Sequence, residues 1–93
     1  MRDDRFEWDD AKAVSNARKH DVTFDEARQV FDDLDALIEP DDEPDEERWR
    51  HIGMTSFGVL FVVGTERGTR TRIIMARRAD RNEQIRYHRQ ARP

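Results

Sequence analysis

The sequence predicts an α+β fold, a small antiparallel sheet with two N-terminal helices and a C-terminal helix. Three observations carry that expectation. Between Asp9 and Leu34, apolar residues recur at three- and four-residue spacing behind two capping signals. From Arg48 the pattern changes to three apolar or alternating runs, separated by the short turn segments Ser56–Gly58 and Glu66–Gly68. After the last run, Asp80 with Glu83 three residues on opens a further helical stretch.

Each element has its own local reason. The opening RFEWDD reads as a short extended piece holding Phe6 and Trp8. Asp9 or Asp10 then caps a helix to about His20, with a thin stripe of Ala11, Val14 and Ala17. A second helix starts at DVTFDEARQVF, where Thr23 and Glu26 form a T-x-x-E capping box and Val22 is placed to staple against Ala27. Phe24, Ala27, Val30, Phe31 and Leu34 give it a core-facing stripe. DALIEP is a short strand. The acidic PDDEPDEE that follows is a solvated loop rather than a metal site, because it lacks the spaced ligands and glycine of a calcium loop. RWRHIGMT, GVLFVVGTE and TRTRIIMAR are the three main strands, and the run from Val59 to Val63 marks the middle one as covered on both faces. With the helices packed on one face, the other face of the sheet stays partly open. No repeat or linker interrupts the chain, so residues 1–93 read as one domain.

Composition narrows the class. There is no cysteine, so disulfides and thiolate metal sites are excluded. No run approaches membrane-spanning length and no apolar leader stands at the N-terminus, which predicts a soluble, cytoplasmic protein with no membrane contact. The net charge of −4 hides an asymmetry. Met1–Glu47 holds 6 Lys/Arg against 18 Asp/Glu, whereas Arg48–Pro93 holds 11 against 3. Fifteen of the seventeen cations are arginine, whose planar fork suits phosphate. Such a distribution fits contact with nucleic acid or a charged partner, and equally fits two halves that neutralise one another across the fold.

The residues Phe6, Trp8, Asp9, Lys12, Asn16, Lys19, His20, Val22, Phe24, Ala27 and Phe31 fall in the order F-x-W-D-x-x-K, N, K-H-G-V, F-x-x-A and F. In the second half, EERW, IG, TERG and RIIMARRA followed by Tyr87 continue the series. Together they resemble the BrnT family of ribonuclease toxins from type II toxin–antitoxin modules, over roughly Phe6 to Tyr87. The departures are Asp21 for a glycine, which asks an aspartate to take a left-handed conformation, Gly64 for an aromatic, Met75 for a serine and Arg78 for a lysine. The resemblance implies a RelE-like fold, RNA cleavage without a cofactor or metal, and a BrnA-like antitoxin partner in a hetero-oligomer, a heterotetramer. Operator DNA would be met only through that antitoxin.

Cleavage of this kind uses the substrate's own 2′-hydroxyl as nucleophile. It needs a base, a cation for the developing phosphorane charge and an acid for the leaving 5′-oxygen. Strand alternation puts Arg70, Arg72 and Ile74 on one face and Ile73, Met75 and Arg77 on the other, unless a bulge brings Arg77 round to the side of Arg72. Arg77 and Arg72 are the candidate cations. His20, Glu66 and Tyr87 are the candidate acid and base. Histidine titrates in the useful range, but His20 is also placed to cap a helix C-terminus. Glu66 equally suits an ion pair with Arg67 or Arg72, and Tyr87 a core-edge anchor. Lys12, Asn16 and Lys19 form a polar helix stripe that either meets RNA or is solvated. Arg67 and Arg78 complete the candidate RNA contacts. Three function classes follow: an active endoribonuclease toxin, a non-catalytic basic binding protein, and an inactive homologue that only forms the antitoxin complex.

Overall fold

The structure, a computed structural model, describes residues 1–42 and 44–91. Its elements run β1 (Phe6–Glu7), α1 (Asp10–His20), α2 (Phe24–Ala27), a 3₁₀ turn (Arg28–Asp32), β2 (Leu37–Pro40), β3 (Trp49–Thr55), β4 (Gly58–Arg67), β5 (Arg70–Arg78) and α3 (Arg81–Gln90). The strands form one sheet in the order β1-β5-β4-β3-β2. From β2 to β5 it is an antiparallel meander, as expected. β1 breaks the pattern by pairing parallel to β5, Phe6 with Thr71 and Glu7 with Arg72, so the sheet is mixed. The reason is burial: pairing there puts Phe6 into the core, where it is 2% exposed.

The cap residues stand where they were expected, although the box expected at Thr23 and Glu26 forms only its Thr23 half. The Asp9 side chain accepts from the Lys12 N–H, Thr23 Oγ1 accepts from the Glu26 N–H, and Asp80 with Glu83 makes a complete capping box. Asp21 closes α1 in the left-handed region, at φ 55°, with its N–H donated to the Ala17 carbonyl. Two helical expectations need correction. The second helix is a single α turn that tightens into the 3₁₀ turn, and the chain then leaves the core, so Leu34 is 91% exposed. Asp33 turns inward in its place, accepting from the N–H groups of Asp35 and Met54 and from the Tyr87 hydroxyl. In α1 the expected apolar stripe is not the inward face either: Ala11 and Val14 are exposed, while Ala13 packs on the core and Asn16 is buried.

β4 separates two apolar layers. Leu60 and Val62 join Phe6, Val22, Phe24, Ala27, Val30, Ile73 and Ala76 beneath α1, α2 and the 3₁₀ turn. Val59, Phe61 and Val63 join Ile52, Ala79 and Tyr87 beneath α3. The face expected to stay open is therefore crossed by α3, which is fastened to the far side of the sheet through Tyr87–Asp33 and the Arg86–Glu39 ion pair. Pro40 ends β2, and Asp41, Asp42 and Pro44–Glu47 form the expected acidic loop; Glu43 lies outside the described residues. Among the described residues no helix is long and apolar enough to cross a membrane.

Candidate functional site

The arginine strand is bulged. Val63 pairs with Met75 and Gly64 with Ile73, leaving Ile74 as an extra residue in β5. The bulge resets the alternation. Arg72 lies with Glu7 on the α3 side of the sheet, and beyond the bulge Arg77 lies on that same side, its guanidinium 3.9 Å from the Phe61 ring centre. Both arginines are engaged. Arg72 donates to Glu7 at 2.8 Å, and Arg77 makes a two-pronged pair with Glu83 at 2.8 and 3.0 Å. Those bonds hold the Arg77 guanidinium above its ordinary pKa.

β1 covers only the start of β5, so the edge from Ile74 onward is left for α1. Asn16 satisfies that edge. Its amide donates to the Ala76 carbonyl at 2.8 Å and to the Val22 carbonyl at 3.1 Å, while its oxygen accepts from the Ala76 N–H at 3.2 Å. One carboxamide thus reads both backbone groups of Ala76 as a neighbouring strand would. The same contact fixes which way α1 faces. Lys12, Ser15, Lys19 and His20 then flank Asn16 above Ile74 and Met75, in a groove of about 210 Å³. Neither lysine makes an ion pair with another described residue, and His20 is half-buried at the groove end. The charge of Arg72 reaches this region too. The Lys12 N–H holds the Asp9 carboxyl below its usual pKa, with weaker help from the Lys12 and Arg72 charges.

The remaining candidates lie elsewhere. Glu66 sits on the opposite side of the sheet from Arg72 and pairs with neither Arg67 nor Arg72; Arg67 reaches Glu46 at 3.4 Å instead. It lines a second pocket, of about 270 Å³, with Phe31, Trp49 and His51. Tyr87 is 4% exposed and donates its hydroxyl to Asp33 at 2.5 Å. Burial and that carboxylate push its pKa up to about 12. Burial opposes ionisation of Asp33, but the Met54 N–H and the Tyr87 hydroxyl outweigh it and its pKa falls. Arg78 is exposed and donates to the Phe57 carbonyl. The structure therefore gathers Lys12, Lys19 and His20 around Asn16 at the β5 edge, and leaves Glu66, Arg67, Arg78 and Tyr87 outside that groove. His51 is an isolated histidine without ligand-like spacing in the sequence, and only the sheet register puts it beside Trp49 and Glu66. Among the described residues no three His, Asp or Glu side chains group as metal ligands would.

Charge pairing answers the asymmetry between the halves. Arg48, Arg50, Arg67, Arg72 and Arg86 of the basic half pair with Glu46, Asp41 and Asp42, Glu46, Glu7 and Glu39 of the acidic half. Much of the positive charge is thereby spent internally, and among the described residues the exposed cations without an ion pair include Arg2, Lys12, Arg18, Lys19, Arg81 and Arg89.

No curated protein matches the sequence. The sequence model of the BrnT ribonuclease toxins of type II toxin–antitoxin systems matches residues 8–83, a span that holds α1 with its groove, the bulged strand and the start of α3. A match over most of its length shows that the chain belongs to this family of ribonuclease toxins.

Proposed function

We propose that the chain is a metal-independent endoribonuclease that cleaves RNA through attack of the substrate 2′-hydroxyl. The observation that carries the reading is the α1–β5 groove, which brings both lysines of the protein and His20 together with no ion pair to another described residue. His20 takes the 2′-hydroxyl proton. The freed O2′ bonds to the adjacent phosphorus, and the P–O5′ bond breaks as the 5′-oxygen takes the proton that His20 had accepted, leaving a 2′,3′-cyclic phosphate and a 5′-hydroxyl. Lys12 and Lys19 hold the phosphate and offset its developing charge, and Arg72 adds its own by exchanging Glu7 for phosphate. Arg77 joins them only by exchanging Glu83 for phosphate, so at rest it anchors α3 to β5. A BrnA-like antitoxin in a heterotetramer, acting in the cytoplasm, is the matching partner; this extends the family's toxin–antitoxin character to its partner's type and number.

The test is incubation with end-labelled RNA in EDTA. Wild type should produce cyclic phosphate ends, and His20→Ala should slow cleavage by roughly 10²–10⁴-fold with an unchanged melting temperature. Cleavage that depends on added divalent metal, or that survives His20→Ala intact, would overturn the mechanism.

A further inference from the structure

We infer that the second pocket, on the face of the sheet opposite Arg72, is a binding site for a guanine base of single-stranded RNA. The inference rests on the ribonuclease reading for its substrate class and deepens it by placing specificity away from the cleavage groove. Sequence register builds the pocket. Trp49 pairs with Gly64, and Glu66 with Thr71, so the tryptophan and the carboxylate rise from neighbouring strands of one face. Phe31 closes one wall, 4.5 Å from the His51 ring centre. The floor is Gly64, where a Cβ would come within 3.3 Å of the Arg72 carbonyl and of Thr71; any side chain there would occupy the cavity.

The chemistry selects the ligand. Aromatic walls around a cavity of about 270 Å³ suit a planar ring, and base stacking on aromatic side chains is how single-stranded RNA is held. Burial lowers the His51 pKa, so its ring stands in the wall uncharged near neutrality. The charged group of the lining is the Glu66 carboxylate, an acceptor with two oxygens and no hydrogen bond or ion pair to another described residue. Guanine alone among the standard bases offers two adjacent N–H donors on its pairing edge, N1–H and N2–H, which a carboxylate receives as a pair. Arg67, the next residue of β4, holds Glu46 only at 3.4 Å and can exchange it for a flanking phosphate.

The experiment is fluorescence anisotropy with labelled 2′-O-methyl pentanucleotides, which present bases and phosphates but no nucleophile. UUGUU should bind roughly tenfold tighter, or more, than UUAUU, UUCUU or UUUUU. Glu66→Gln should abolish the preference; because Glu66 is exposed and unpaired, the variant should melt like wild type. Equal affinities, or a preference that survives Glu66→Gln, would overturn the assignment. Free guanosine monophosphate as tight as UUGUU would overturn its RNA part, because flanking phosphates would then add nothing. Cleavage of ordinary RNA is scored separately. Guanine-selective binding without cleavage sinks only the ribonuclease mechanism, and cleavage without guanine selectivity sinks only the pocket.

Discussion

Replacing Asn16 by alanine removes both bonds that tie α1 to Ala76 and the third that ties it to the Val22 carbonyl. Asn16 is 8% exposed, so water does not simply take its place. At about 0.5–1.5 kcal/mol net for each lost bond the total is roughly 2–4 kcal/mol, with the stranded Ala76 N–H favouring the upper end. In a domain of this size each kcal/mol moves the melting temperature by about 4–8 °C, so the variant should melt roughly 10–25 °C lower. Urea unfolding followed by circular dichroism measures the loss as a lower midpoint at unchanged slope. A loss below about 1 kcal/mol would refute the reasoning, because the β5 edge would then be satisfied by solvent and Asn16 would be free for RNA contact. The distinction matters functionally, since the same residue sits between Lys12 and Lys19 and was as well suited to a substrate contact on sequence grounds.

Further outcomes follow from individual contacts. Tyr87 is the only tyrosine, so tyrosinate absorbance reports it directly; it should ionise at about 12, and a midpoint near 10 would show that the Asp33 bond does not persist. Because the folded pKa is the raised one, this bond's contribution is complete below about pH 10 and is lost as pH rises through about 12. Tyr87→Phe should cost roughly 1–2 kcal/mol without slowing cleavage by the folded protein; a large rate loss would return Tyr87 to the chemistry. Lys12→Ala with Lys19→Ala should reduce the slope of log affinity for single-stranded RNA against log salt by about 1.4, and an unchanged slope would remove both from phosphate contact. Asp21→Gly should stabilise the fold by up to about 1 kcal/mol, since glycine takes the left-handed cap without steric cost. A lower melting temperature for that variant would show that the aspartate side chain is worth more than the strain.

The sequence alone determined the features whose cause is a cap or a turn within a few residues. Asp9, Thr23 and Asp80 announce helix starts because a side-chain oxygen meets an N–H three residues on. The three long strands fall within a residue or two of their expected bounds because apolar runs and short turns are local. Family membership was equally legible, being carried by spaced residue identities. Tertiary structure decided the rest. A two-residue strand such as β1 has no periodicity, so its parallel pairing with β5 could not be read. The Ile73–Ile74 pair looks alike in either phase, and only the register with β4 shows that Ile74 is the bulge and that Arg72 and Arg77 share a side. Asn16 resembles any polar residue of a solvated stripe until Ala76, sixty positions away, supplies the unpaired edge it binds. Tyr87 finds Asp33 across fifty-four residues, and that bond helps hold α3 over the face expected to be open. Capping and periodicity act along the chain, whereas an edge, a bulge or a half-buried carboxylate acquires its partner only when distant segments are brought side by side.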